Sequence, residues 1–426
     1  MMRNLVRAVW FLAAALLLYG ASLDAPFIFD DTSIEHNRDI RDWVAPWDVV
    51  GASPISAAAG RPIVHYSLTL NYALGGLDPR GYRLLNLAVH LACALVLFGV
   101  VRRTLLRCDG DGACNRAAEE LAAVATMIWL VHPLHTECIG YISQRSETIM
   151  GLFYLLTLYA AIRALDGRHP RAWTAVAIVA CALGMASKEA MVTAPLVVVL
   201  YDLVFSGRRP GRLLRERAPL YGGLAACWLV LAGLMATGPR ATSVGLSLGT
   251  TPIEYAKNQC VVVVEYLQRI FWPDPLVLDY GYPRQLAANE WIPQALLLAV
   301  LLGATVVLLL RKPRIGFPLA WTFLVLAPTS SFVPIVTEVG AERRMYLALA
   351  GPVVLAVVGA WLLIRRLRAG SLRRWVAVAL AIAVLVPLGW RTFARMQDYA
   401  SAVAIWQTAV DARPGNHRAH GNLAKA

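Results

Sequence analysis

The chain has 426 residues, of which 58% are hydrophobic and only 16% are charged, with a formal net charge of +13. A soluble domain carries roughly 25% charged residues, so a large water-facing surface is excluded. The basic residues form short clusters between long apolar runs, a pattern of membrane orientation and lipid-headgroup contact that argues against nucleic acid as a partner.

Eleven stretches approach the roughly 20 apolar residues that a helix needs to cross a bilayer. In chain order they lie near 5–21, 82–105, 119–134, 143–163, 171–186, 190–205, 218–236, 293–310, 316–331, 346–364 and 375–391. Arginine clusters occupy every second connection. The first holds Arg102, Arg103, Arg107 and Arg116, the next Arg163, Arg168 and Arg171, and the third Arg208, Arg209, Arg212, Arg215 and Arg217. Arg311, Lys312 and Arg314 follow, then Arg365, Arg366, Arg368, Arg373 and Arg374. The positive-inside rule places these, with Arg3 and Arg7, on the cytoplasmic side, and eleven crossings then leave the C-terminus outside. Residues 256–272 are apolar enough to cross, but a crossing there would carry the Arg311–Arg314 cluster outside. The stretch 238–292 is therefore expected to be one outer connection whose helix dips into or lies on the membrane. A cleaved signal peptide is the alternative for residues 1–21, and its removal would upset the pairing of the later connections.

The polar residues that invite chemistry collect on the outer side. The long first connection, 22–81, carries Asp30 and Asp31 directly after Phe27, Ile28 and Phe29. Two adjacent carboxylates in a partly dry site push one pKa up, which suits a general base; a plain surface turn is the other reading. On the opposite side, Asp109, Asp111 and Glu120 have positions 1, 3 and 12 of a calcium loop but lack the glycine and acceptor at positions 6 and 5. The flanking Cys108 and Cys114 belong to no visible disulfide framework, and Cys93, Cys181 and Cys227 read as buried hydrophobes. The second outer connection groups His132, His135, Glu137, Arg145 and Glu147. Its His-x-x-His spacing suits a metal on a regular helix, but Pro133 interrupts it, leaving a substrate-orienting or purely structural role open. Ser187, Lys188 and Glu189 form a third, very short connection. In the last, Glu342, Arg343 and Arg344 precede a span. Outer arginines oppose the charge rule, and they read either as a bidentate phosphate clamp or as salt-bridge partners of Glu338 and Glu342.

After the last span, Ala402, Trp406, Ala409, Val410 and Pro414 are spaced like the second helix of a tetratricopeptide repeat, and Asn416–Ala426 like the first helix of the next. Such a fragment cannot bury its apolar face alone, so it is expected either to continue or to dock on the membrane domain.

The segments FIFDDTSIEHNRDI, RPIVHYSLTLNYALGGLDPRGYRLLNLAVH, VHPLHTECIGYISQRSE, SKEAMVTAPLVVVLYDL and AERRMYLALAG, in this order, resemble the transmembrane-and-tetratricopeptide-repeat family. More broadly they resemble the GT-C glycosyltransferases related to protein O-mannosyltransferases. The resemblance implies an all-α GT-C membrane domain of about eleven helices over 1–392, followed by a partial repeat over 393–426. It implies an outward-facing site, a polyprenyl-phosphate-linked sugar as donor, and a protein hydroxyl as acceptor. It assigns catalysis to Asp30 and Asp31, with Asp30 as base, and the donor phosphate to Arg343 and Arg344, with Lys188 and Arg145 behind them. It gives His132, His135, Glu137, Arg61 and His65 orienting roles, and it implies no metal.

The expected activity is transfer of a hexose, such as mannose, to Ser or Thr of exported proteins at a bacterial inner membrane, on the periplasmic face. A lipid or envelope-glycan acceptor is the alternative. A non-catalytic scaffold presenting repeats would instead leave Asp30 and Asp31 in solvent. A transporter fits less well, because the polar residues lie at one face and not at the midplane.

Overall fold

The computed structural model describes residues 2–45, 48–49, 58–107, 117–237, 245, 249–367 and 370–426. The DGDGA loop considered for calcium, its flanking Cys108 and Cys114, and Arg116 and Arg368 lie outside them. The described residues form helices and no strand. A helix stands at each of the eleven apolar stretches: α1 (Met2–Tyr19), α3 (Pro79–Arg107), α4 (Ala118–Leu130), α5 (Arg145–Leu165), α6 (Pro170–Met185), α7 (Ala194–Phe205), α8 (Ala218–Ala236), α10 (Ala288–Arg311), α11 (Pro313–Leu326), α12 (Ala350–Ile364) and α13 (Ser371–Asp398). Between them lie α2 (Pro62–Gly75) and α9 (Pro252–Phe271), and α14 (Ala402–Ala412) and α15 (His417–Leu423) complete the chain.

By length and apolarity, six described helices are able to cross a membrane, or seven if the bent segment ending in α12 is one span. The packing explains why lipid must surround them. Of its most apolar window, α10 buries only 6% and α13 only 11%, so their leucines and valines face outward over areas that a water-soluble surface does not carry. By contrast, α5 buries 67% and forms the centre of the bundle.

The chain entering α12 shows how the lipid-embedded backbone is kept satisfied. Residues Glu342–Ala348 and Ala350–Ile364 meet at a 52° bend. Pro352 has no N–H for the Ala348 carbonyl and its ring crowds it. Side chains from neighbouring helices take over. Thr322 donates to Ala348 O at 3.1 Å, Trp321 to Leu347 O at 2.7 Å and Trp129 to Tyr346 O at 2.9 Å. Gly351 permits the close crossing of α11 and α12, since a Cβ there would lie 2.1 Å from Pro318 O.

Ion pairs define two ends. At one, Arg7 and Arg102 meet Glu119 at 2.9 and 2.8 Å, and Arg103 and Arg107 meet Asp166. The start of α1 and the α3–α4 and α5–α6 connections therefore share this arginine end. The first connection and the α4–α5, α6–α7 and α11–α12 connections meet at the opposite, carboxylate end. There residues of the first connection build a small core of Ile34, Ile40, Ala58, Val64 and Leu68 closed on Tyr82 and Ile142.

Candidate active site

The Asp30–Asp31 pair lies in a single 3-10 turn, Phe29–Asp31. The turn starts from an unusual backbone: Phe29 has φ of 50°, a left-handed conformation that a bulky residue adopts only when its surroundings force it, at a cost of about 1–3 kcal/mol. The two carboxyls then face different worlds. Asp31 is 0% exposed. Its carboxylate accepts from the Ile142 N–H at 3.0 Å and from the Ser143 N–H and hydroxyl, both at 2.6 Å. Burial pushes this carboxyl up to about 6, against the pull of those donors and Arg83. Asp30 reaches solvent, yet protein crowds enough water from its carboxyl to raise its pKa above the ordinary aspartate range. The Tyr141 hydroxyl, Arg343 and Arg418 oppose that rise, and Glu338 adds to it. The Asp30 N–H donates to the Tyr141 oxygen at 3.2 Å.

Beside the pair stands a chain of charged groups. Arg343 binds Glu137 and Glu338 through its guanidinium and donates its backbone N–H to Glu137 at 2.8 Å. Glu137 is buried, and burial raises its carboxyl while Arg343 holds it down. Lys188 pairs with Glu147, the two side chains only 11% and 6% exposed. Burial lowers the Lys188 ammonium, Glu147 opposes this, and the cations Arg61 and Arg343 push it further down. Arg61 pairs with Glu189 at 2.8 Å and reaches Ser146 at 3.4 Å. Arg61, Lys188 and Arg343 thus bring three cations to one neighbourhood, each already facing a carboxylate.

Other residues expected at the site are committed elsewhere. Arg145, fully buried, donates to Asn86 at 2.7 Å and to the carbonyls of Ser67 and Tyr82 at 3.0 and 2.7 Å. It pins α2 and α3 to α5. Arg344 donates to the carbonyls of Thr329, Glu338 and Val339 and so holds the loop before it. His132 uses both ring nitrogens, accepting from the Leu134 N–H and donating to Ile270 O at 3.1 Å. His135 donates to Tyr346 O at 3.2 Å, within the bent segment before α12. Among the described residues no three His, Cys, Asp or Glu side chains converge as a metal site would require. His65 is buried on α2, its Nε2 without a partner; burial lowers its pKa, and its surroundings are those of the first connection.

Four contributors carry no local sequence signal. Tyr141 takes the Asp30 N–H on its hydroxyl oxygen. Arg83 is completely buried and ties the carbonyls of Ala25, Pro26 and Gly140 together. Asp279 and Arg418 form an ion pair, with Asp279 almost wholly buried. Each is placed by partners roughly 60 to 140 residues away in the chain, where no spacing rule operates.

Comparison with known proteins agrees with the motifs. The family model described as dolichyl-phosphate-mannose-protein mannosyltransferase matches residues 58–235. The chain is 25% identical to protein O-mannosyl-transferase TMTC4 of Mus musculus over 96% of its own length, and 25% identical to that of Homo sapiens over 97%. It spans 62% of each of those two proteins. It is 30% identical to Tmtc2 of Drosophila melanogaster over 63% of this chain and 29% of that one. Crystal structures of ArnT from Cupriavidus metallidurans are similar at 16% identity. The form bound to undecaprenyl phosphate has a TM-score of 0.46, covering 94% of this chain and 77% of that one. The apo form has 0.48, covering 98% and 74%. By sequence the chain is thus similar to the TMTC protein O-mannosyl-transferases.

Proposed function

We propose that the chain is a GT-C glycosyltransferase that moves a hexose, such as mannose, from a polyprenyl phosphate to a hydroxyl of an exported protein. One observation carries this reading: a solvent-reaching carboxylate, Asp30, shares a site with the cations Arg343 and Lys188, while its neighbour Asp31 is consumed by three donors. Asp30 accepts the proton of the acceptor hydroxyl. That oxygen bonds to the anomeric carbon as the carbon–oxygen bond to phosphate breaks, and the electron pair leaves on the phosphate. Arg343 and Lys188, with Arg61 behind them, stabilise that charge. Arg145 and Arg344 position backbone, and Asp31 fixes the turn that presents Asp30. His135 and Glu137 support the bent segment that carries Arg343, and His132 ties its own turn to the end of α9.

A long apolar groove of about 530 Å³ runs between α4, α12 and α13 and ends at His132, Ile270 and Phe271. We place the isoprenoid chain of the donor there, because the groove is apolar and reaches His132 and the Ile270–Phe271 end of α9. In this reading the carboxylate end faces the periplasm of a bacterial inner membrane, with eleven crossings and the α9 helix on or in the outer leaflet, and the arginine clusters of the other end support that orientation. Residues 1–392 form the transferase domain, and 393–426 begin a tetratricopeptide repeat.

The test is incubation of purified protein with radiolabelled polyprenyl-phosphate hexose and periplasmic proteins, with the Asp30→Asn variant alongside. Label reaching protein with wild type only supports the reading. Label in lipid moves it to an envelope-glycan acceptor. Intact donor with no transfer across several hexoses leaves a scaffold.

A further inference from the structure

The C-terminal helices lie on the carboxylate site itself. Trp406 of α14 is buried and meets the Phe29 ring edge-on, centroids 5.1 Å apart. The Arg418 guanidinium of α15 stands 5.7 Å from the same ring and 4.6 Å from that of Tyr282. It is held there by a two-pronged contact with the buried Asp279 carboxylate, whose Oδ2 it reaches at 2.6 Å, and by a bond to Thr337 O at 2.6 Å. Asn416 secures the start of α15. Its side chain accepts from the N–H groups of Arg418 and Ala419 and donates to Asp279 O at 2.9 Å. Arg413 adds an ion pair to Glu265 of α9. The end of α13 closes in as well: a Cβ on Gly140 would lie 2.7 Å from the Tyr399 ring.

Phe29 is the residue with left-handed backbone that sets the direction of Asp30. Trp406 and Arg418 contact its ring from the C-terminal side, and Tyr141 approaches it at 6.0 Å. We propose that the C-terminal helix pair is a built-in wall of the catalytic site, in which Trp406 and Arg418 are positioning residues that hold Phe29 and, through it, the attacking geometry of Asp30. The role rests on the proposed reaction. It assigns to the tail a task within the membrane domain, separate from any recognition of partners by a repeat.

The clamp also sets the charge around the base. The groups facing Asp30 are Tyr141, Glu338 and Arg343 from the neighbouring connections and Arg418 from α15, while Asp31 on its own turn is directed at Ile142 and Ser143. Arg418 favours the ionised carboxylate, and Asp279 offsets part of that charge. Removing either partner must therefore move Asp30 in opposite directions.

The experiment measures kcat/KM for hexose transfer against pH for wild type, Arg418→Gln, Arg418→Lys, Asp279→Asn and Trp406→Ala. Arg418→Gln is expected to shift the acidic limb upward by about half a unit, a roughly threefold loss on the acid side. Asp279→Asn shifts it downward, and Arg418→Lys restores it. A purely structural role would scale the whole profile and leave the limb in place, which overturns the proposal. If Arg418→Gln does not fold, Trp406→Ala still decides: kcat falls with the donor KM unchanged if the wall positions Asp30, and an unchanged kcat contradicts it. Should wild type transfer no hexose, the proposed reaction fails independently. The pH midpoint for carbodiimide labelling of Asp30, read by peptide mass spectrometry, then reports whether Arg418 acts on that carboxyl, and coincident midpoints in wild type and Arg418→Gln overturn the inference.

Discussion

The two ends of the bundle use the same residue types to opposite effect. At the arginine end, Arg103 and Arg107 share Asp166, and Arg208 and Arg212 share Glu216, with side chains from 20% to 75% exposed. Such pairs are screened by water and contribute about 0–1 kcal/mol each. At the carboxylate end the guanidinium of Arg145 and the carboxylates of Asp31 and Glu137 are fully or almost fully buried. Burial of this kind is unfavourable unless each charge is saturated with partners, and here each is. Within the carboxylate end the same contrast recurs between adjacent residues, since Asp31 is held by three donors while Asp30 reaches solvent.

The contrast can be broken in graded steps. The largest effect is expected for Asp30→Asn, which removes the proposed base and should lower kcat by about 10²–10⁴-fold with the fold intact, read as initial transfer rate and as an unchanged melting temperature in detergent. Arg343→Gln and Lys188→Met should each lower kcat by about 10²-fold through lost stabilisation of the leaving phosphate, measured in the same assay at saturating donor. Arg145→Met should act on stability. It strands the Ser67 and Tyr82 carbonyls and Asn86, a loss of about 3 kcal/mol seen as a lower melting temperature. In wild type, the raised pKa of Asp30 predicts the sign of the pH dependence. The base works only when ionised, so kcat/KM falls as pH drops through a value above the ordinary aspartate pKa, about 4. The smallest effect belongs to the arginine end, where Asp166→Asn should change stability by no more than about 1 kcal/mol and leave transfer untouched.

Much of this organisation was legible from local pattern. A helix stands at each of the eleven apolar runs, and six or seven of the described helices are long and apolar enough to cross a membrane. Helix limits were harder to read. The stretch expected over 119–134 stops at Leu130, where His132 caps the turn that Pro133 begins. The one expected over 346–364 is broken by Pro352. The site was half legible. Asp30, Lys188 and Arg343 stand out as polar residues just beyond apolar runs, whereas nothing in the sequence says that Asp31 meets Ser143 or that Arg418 meets Asp279. The two roles of adjacent aspartates, and of Arg343 and Arg344, depend on which side chain the turn directs inward. Long-range packing decides that, and neither composition nor spacing records it.

The central claim is that one carboxylate works while the other holds the turn. It is tested most directly by the anomeric configuration of the product. With Asp31 committed, the described residues beside Asp30 offer no second unpaired carboxylate to form a covalent glycosyl intermediate, so a single direct displacement should invert the donor's anomeric configuration. Nuclear magnetic resonance of the product from an anomerically defined donor should show inversion. Retention would demand a nucleophile at the site and contradict the division of labour between Asp30 and Asp31.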